Sequence, residues 1–178
     1  MGDKRINQAC DRAITDFLRG DRDALAIIYD LMARMIFSVS YSITESYQDA
    51  EDVLQDTMIE ITKYAHRYRS GSNAKAWILA MARHLSIDVI RKRKSVVSAD
   101  DTVMDNTPEP PFDLSRLEVL DMLNTLDEEK RQIIVLRLYA ELPYKEIASV
   151  MGLSVAAAQK KYQRAIRALK DYFRRTGD

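Results

Sequence analysis

Cysteine is all but missing from this sequence: Cys10 is the only one in 178 residues. An internal disulfide is therefore excluded, which fits a reducing compartment. Glycine (five) and proline (four) are also scarce, so few breakers interrupt the helix-forming residues that dominate the chain. Net charge is absent too, with 27 basic and 27 acidic side chains, and the total alone exerts no pull on a polyanion. No long apolar run occurs. The longest, Ala76 to Ala82, is far short of the roughly 20 residues a membrane-spanning helix needs. The amino terminus lacks the apolar stretch of a signal peptide. The expectation is a soluble, cytoplasmic protein without membrane insertion.

Catalytic signatures are missing as well. His66 and His84 stand isolated, and no HExxH, glycine-rich phosphate loop or nucleophile elbow is found. No enzymatic activity, cofactor or metal is expected.

What is present is helical periodicity and segregated charge. Acid gathers between Asp100 and Asp113, and base in Arg91-Lys92-Arg93-Lys94 and from Lys160 to Arg175; such patches set the local field. Leu25, Ile28, Met32, Met35 and Val39 recur at three- and four-residue steps and predict a helix over 23–43. A second helix is expected over 47–64, with Val53, Met58 and Ile61 inside. A loop over 66–73 leads to a third, over 74–94, with Trp77, Met81, Leu85 and Val89 as its apolar stripe. Ser95 to Asp113 holds Pro108, Pro110 and Pro111 among acids and reads as a linker. The carboxy-terminal part returns to helix. Leu117, Leu120 and Leu123 mark one helix, and Ile133, Ile134, Leu136 and Leu138 another. A helix-turn-helix follows, with Pro143 in a first turn, Gly152 at the turn and Ser154 as cap. The fold class is all-α: a helical domain over 1–95, an acidic Pro-containing linker over 96–113, and a helix-turn-helix domain over 114–178.

Three surfaces carry chemistry. On the last helix Ala158, Tyr162, Ala165, Leu169 and Tyr172 form an apolar stripe, leaving Gln159, Lys160, Gln163, Arg164, Arg167 and Lys170 largely outside it. A basic, Gln-bearing helix after a glycine turn suits the major groove, where cations neutralise phosphates while Gln and Arg read base edges. The 66–73 loop mixes Arg67, Tyr68 and Arg69, and Arg83, His84 and Arg91 continue the basic character along the third helix. Aromatics beside cations describe a single-strand surface. The second helix carries Asp49, Asp52, Gln55 and Asp56. Acids alone on a straight helix make a poor metal cage, and composition does not choose between a solvated face and a protein-docking one.

These strings together resemble the extracytoplasmic-function group of bacterial sigma factors. Asp49-Ala-Glu-Asp-Val-Leu-Gln-Asp-Thr-Met58 resembles the polymerase-docking helix, and the 76–94 string resembles the minus-ten and melting segment. The 126–138 string with Tyr144-Lys-Glu-Ile-Ala148 resembles the domain that reads the minus-thirty-five element. The resemblance implies that Asp49, Asp52, Gln55 and Asp56 dock on the β′ clamp helices of core RNA polymerase. It implies capture of the minus-ten strand of promoter DNA by Arg67, Tyr68, Arg69, Ser70 and Asn73 with Arg83 and His84. Asp88 and Arg91 then serve structural support and duplex contact. Ala157, Gln159, Lys160, Lys161, Arg164 and Arg167 are the implied minus-thirty-five set, and an anti-sigma protein is the implied restraining partner.

Two positions depart from the family pattern. Ala156-Ala157-Ala158-Gln159 stands where Gly-Thr-Val-Lys is common, which removes a hydroxyl and a cation. Weaker or differently directed minus-thirty-five binding is expected, leaning on Lys160, Lys161 and Arg164. His84 stands where asparagine is frequent, which alters how a flipped base is read. The competing reading is a helix-turn-helix regulator independent of polymerase; it leaves the acidic helix and the basic-aromatic loop without a purpose.

Overall fold

The computed structural model describes residues 2–96 and 123–176. Seven α-helices and no strand occur among the described residues. Most of the expected linker, and with it Leu117 and Leu120, lies outside them.

The first helix has no counterpart in the sequence-based expectations. α1 (Gly2–Leu18) sinks Cys10, Ala13 and Ile14 into the core, with Ile6 and Phe17 packed at its edge. α2 (Ala24–Thr44) is the central helix, touching α1 and both helices that follow it. By length and composition α2 is apolar enough to cross a membrane, with a mean hydropathy of 1.4, yet 56% of that window is buried inside the protein. Its hydrophobicity is that of a helix surrounded by others. Ile28, Met32, Ile36 and Val39 lose nearly all their exposure there, each burial stabilising by about 1.5–3 kcal/mol against full exposure.

α2 stops where Glu45 takes a left-handed backbone (φ 53°) and donates its N–H to Tyr41. The extended Ser46 then accepts the Asp49 N–H at 3.3 Å, capping α3 (Tyr47–Tyr64). Val53, Leu54, Thr57 and Ile61 form the inner face of α3, while Met58 is only partly buried. A 3-10 turn (Ala65–Arg67) and a short loop lead into α4 (Ala74–Val96).

α4 differs from the expected stripe. Ile78, Leu79, Ala82 and Ser86 are fully buried, whereas Trp77, Met81, Leu85 and Val89 are only partly so. The cause is crowding on several sides: α4 touches α1, α2 and α3 and, farther along the chain, the helix over Tyr144–Met151. Small residues on the contact face let neighbouring helices approach, and the Ser86 hydroxyl is satisfied by the Ala82 carbonyl at 2.7 Å.

In the second half a 3-10 turn (Leu123–Thr125) precedes α5 (Glu128–Ile134), which Asp127 caps by accepting the Lys130 N–H at 2.9 Å. A π-helical segment (Val135–Tyr139) extends it and leaves Leu138 exposed. α6 (Tyr144–Met151) follows, with Pro143 extended just before it. Gly152 ends α6 at φ 66°, and Leu153 donates to the Ala148 carbonyl at 2.8 Å. Such a left-handed close favours glycine because a Cβ is strained there. The Ser154 hydroxyl accepts the Ala157 N–H at 3.1 Å and caps α7 (Val155–Thr176), in agreement with the sequence.

The two halves share one continuous cluster of buried residues. α5 packs on α2 and α6 on α4. Two buried cations bind across the contact. Lys75, only 2% exposed, donates to the Ala140 carbonyl. Arg131, 3% exposed, donates to the Ser42 carbonyl at 2.7 Å, to Asn124 at 2.9 Å and to Glu45. Buried charge is tolerated because every contact is a charge-assisted hydrogen bond.

Candidate nucleic-acid interface

The acidic face lies on α3. Asp52, Gln55 and Asp56 are exposed, set on one side by the three- and four-residue spacing. Asp49, at the first turn, is half-buried and pairs with Arg93 of α4, so it braces the helix end. Beside Gln55 an apolar groove of about 480 Å³ runs between α2 and α3, lined by Leu25, Tyr29, Met58 and Ile59. Tyr29 and Ile59 are 43% and 50% exposed. Sequence reasoning misses this groove, because Ile59 and Tyr29 fall outside the periodic core positions and only the packing brings them together.

The loop after α3 is built around Tyr68. Its ring is buried against Trp77, 5.1 Å between centroids, and its hydroxyl donates to Asp11 Oδ1 at 2.6 Å. Burial, with the Asp11 carboxylate beside it, pushes the phenol well above its ordinary value. Tyr68 is thus a packing residue of the loop, while Arg67, Arg69 and Ser70 are exposed. Asn73 spends its side-chain oxygen on the Ala76 N–H at 3.0 Å and caps α4. The guanidinium of Arg67 lies over the Tyr64 ring at 4.9 Å.

Between α3, the 3-10 turn and α4 opens a cleft of about 440 Å³, lined by Glu60, Tyr64, Arg67, Trp77, Met81 and His84 among others. Trp77, Met81 and Leu85 of α4 thus line this cleft on one side while packing against the core on the other. Its apolar and aromatic walls, with the Arg67 guanidinium at the edge, suit a flat base with its phosphate outside. His84 lies on the rim and its Nε2 is 3.3 Å from Asp88, which also pairs with Arg91 at 3.4 Å. Arg83 is turned away: its Nε donates to Gln132 of α5 at 2.9 Å. Burial lowers the Arg83 pKa from its ordinary value, with Glu128 and Glu129 acting in the opposite direction.

On α7, Ala158 and Ala165 are fully buried, Tyr162 and Leu169 partly, and Tyr172 is exposed, so the stripe fades toward the end. Tyr162 meets Tyr144 of α6 edge-on at 5.9 Å, one of the contacts that join the two helices. Gln159, Lys160, Arg164 and Arg167 are exposed together, and Ala157 is half-buried. Lys161 is turned back onto α5, where it pairs with Glu129. The outward basic face is therefore led by Lys160, Arg164 and Arg167. No cluster of three or more His, Cys, Asp or Glu able to hold a metal occurs among the described residues.

Comparison with known proteins gives a consistent picture. Residues 28–96 match the family model "Sigma-70 region 2" and residues 116–169 match "Sigma-70, region 4". The chain is 29% identical over 154 residues to the ECF RNA polymerase sigma factor SigM of Bacillus subtilis, covering 83% of this chain and 94% of that protein. It is 24% identical over 180 residues to SigW of the same organism, covering 92% and 96%. Among solved structures, the fold resembles the sigma factor RpoE crystallised with the anti-sigma factor NepR from Bartonella quintana, with a TM-score of 0.72 and 22% identity over 85% of this chain and 98% of that one. It also resembles CnrH in complex with the cytosolic domain of CnrY, with a TM-score of 0.71 and 21% identity over 93% and 97%.

Proposed function

The chain belongs to the sigma-70 family, with extracytoplasmic-function factors as its relatives, and from that premise we propose how its surfaces divide the work of starting transcription. As a sigma factor it directs RNA polymerase to promoters. Two domains on either side of the 96–113 linker would then serve the two promoter elements. The α3 face of Asp52, Gln55 and Asp56 docks on the clamp helices of the polymerase β′ subunit, with Asp49 bracing it through Arg93. The loop residues Arg67, Arg69 and Ser70, with His84 on the cleft rim, capture the minus-ten strand. Tyr68 and Asn73 shape that loop, and Arg91 contacts duplex. Gln159, Lys160, Arg164 and Arg167 face the minus-thirty-five element.

Strand separation on this reading draws on binding energy alone, with no chemical step by this chain, no cofactor and no metal. The cytoplasm, where core polymerase is found, is its place of action. An anti-sigma protein is the second partner, as in the complex of RpoE with the anti-sigma factor NepR.

The observation that carries the docking assignment is the exposed Asp52-Gln55-Asp56 face bordering an apolar groove. A charged rim beside an apolar patch is how a specific protein interface is composed. The test is a titration of the purified protein against core RNA polymerase, wild type beside Asp52→Ala/Gln55→Ala. Tight binding weakened at least tenfold by the double variant supports the assignment. Unchanged affinity would move the docking surface elsewhere, and absence of binding by folded wild type would overturn it.

A further inference from the structure

We propose that Asp11, on α1, is the positioning residue of the minus-ten loop: its carboxylate staples Tyr68, Ser70 and Gly71 into the shape that receives the strand. The inference rests on the reading that this loop captures the minus-ten strand. It goes beyond that reading because α1 lies outside the region 2 match, which begins at residue 28.

The geometry is specific. Asp11 Oδ1 accepts the Tyr68 hydroxyl at 2.6 Å and the Gly71 N–H at 2.7 Å, while Oδ2 lies 3.3 Å from the Ser70 hydroxyl. One carboxylate thus gathers donors from a stretch of four residues. Asn7, one turn earlier on the same helix, accepts the Lys75 N–H at 3.2 Å, so α1 holds both ends of the loop. Within the loop the Ser72 N–H donates to the Arg69 carbonyl at 3.1 Å, and Gly71 sits at φ 82°. Glycine takes this left-handed backbone without steric cost but is conformationally free, so a hydrogen bond from outside the loop narrows it to one conformation. Asp11 supplies it.

The carboxylate is also suited to its place beside a polyanion. The Tyr68, Gly71 and Ser70 donors occupy most of its about four lone-pair sites and offset part of its charge, and Arg69 and Ser70 are displayed around it. Asp11 is not a core residue; Cys10 and Ile14 on the same helix carry the burial of α1. Its hydrogen bonds therefore act on loop order more than on folding. A loop ordered in advance avoids the cost of ordering when the strand binds.

The test uses holoenzyme, assembled from core polymerase and the full chain, and a fluorescent single-stranded oligonucleotide carrying a minus-ten sequence selected from a random pool by the wild-type holoenzyme. Asp11→Ala is expected to weaken strand binding about tenfold while leaving affinity for core unchanged. Asp11→Asn, which keeps an acceptor for Tyr68 and Gly71, is expected to recover most of the loss. Faster hydrogen exchange at the Gly71 amide in Asp11→Ala would report the loosened loop directly. Equal strand binding by Asp11→Ala and wild type overturns the inference and leaves strand capture standing. An equal loss of core affinity overturns it in favour of a general folding role. Failure of wild-type holoenzyme to select or bind any strand overturns the loop reading itself, and the inference with it.

Discussion

The Nε of Arg83 on α4 donates to Oε1 of Gln132 on α5 across 2.9 Å, so a side chain that the sequence places among the minus-ten contacts is held by the half proposed to face a different element. The same interface includes Lys75 on Ala140 and Arg131 on Ser42. Duplex DNA advances about 3.4 Å per base pair, and the two promoter elements, by their positions, lie about two helical turns apart. Helices in contact do not span that distance. The α4–α6 and α2–α5 contacts must therefore part when both elements are engaged. With fluorophores at exposed positions 94 and 170, energy transfer in the free protein should be high and should fall when core polymerase and promoter are added. Transfer that stays constant would mean that the halves remain closed on the promoter.

Arg131 should be the most costly single residue to remove from that interface. It is only 3% exposed and satisfies the Ser42 carbonyl, Asn124 and Glu45. Arg131→Ala leaves those acceptors without their donor, and the expected destabilisation is about 3 kcal/mol. Glu45→Ala should cost about 1 kcal/mol or less, because its side chain is 52% exposed and water screens the pair. Urea denaturation of the two variants checks the order; equal effects would show that the bonds to Ser42 and Asn124 together add nothing beyond the Glu45 pair.

Two carboxylates tie stability to pH in one direction. For Asp127, burial raises the pKa, but hydrogen bonds from the Lys130 side chain and backbone outweigh it and hold the group below its ordinary 3.8. Asp11 behaves alike: burial raises it, and the donors Tyr68, Gly71 and Ser70 win. A folded pKa below the unfolded one means the stabilisation is fully present above the unfolded value and fades as pH falls through the folded one. The acid limb of the unfolding curve should therefore begin below about pH 4 for these groups. Asp127→Ala should lower stability near neutral pH by about 1 kcal/mol through removal of the α5 cap and flatten that limb. A limb unchanged in Asp127→Ala would assign it to other acids.

How much of this is legible in the sequence depends on where each helix finds its neighbours. α2 and α7 bury a recurring face, so Ile28, Met32, Ala158 and Ala165 stand out by spacing. α4 is packed from several sides, and its largest side chains, Trp77 and Met81, line the cleft while Ile78 and Ala82 are buried. The spacing of Ile6, Cys10, Ala13 and Phe17 does carry a signal for α1; its polar neighbours and its place at the amino terminus hide it. Asp11 and Arg131 are beyond reach for another reason. Most of their partners lie more than fifty residues away, and the Gly71 N–H and Ser42 carbonyl among them are backbone groups, which leave no trace in residue type. Lys161 reads as a phosphate ligand from its place in a basic run; Glu129, which turns it inward, belongs to another helix.

That turn makes the minus-thirty-five surface separable by experiment. Lys160 and Arg164 are exposed, whereas the Lys161 side chain is 22% exposed and paired with Glu129. Removing one phosphate ligand should lower the slope of log affinity against log salt by about one. Lys160→Ala and Arg164→Ala should each show that reduction in holoenzyme binding to a minus-thirty-five duplex. Lys161→Ala should show less, because the cation is already neutralised within the protein. Glu129→Gln releases Lys161, so affinity should rise at low salt and the slope should steepen. Should Lys161→Ala instead lower the slope as far as Lys160→Ala does, the Glu129 pair must open on DNA, and Lys161 would rejoin the phosphate-binding set on α7.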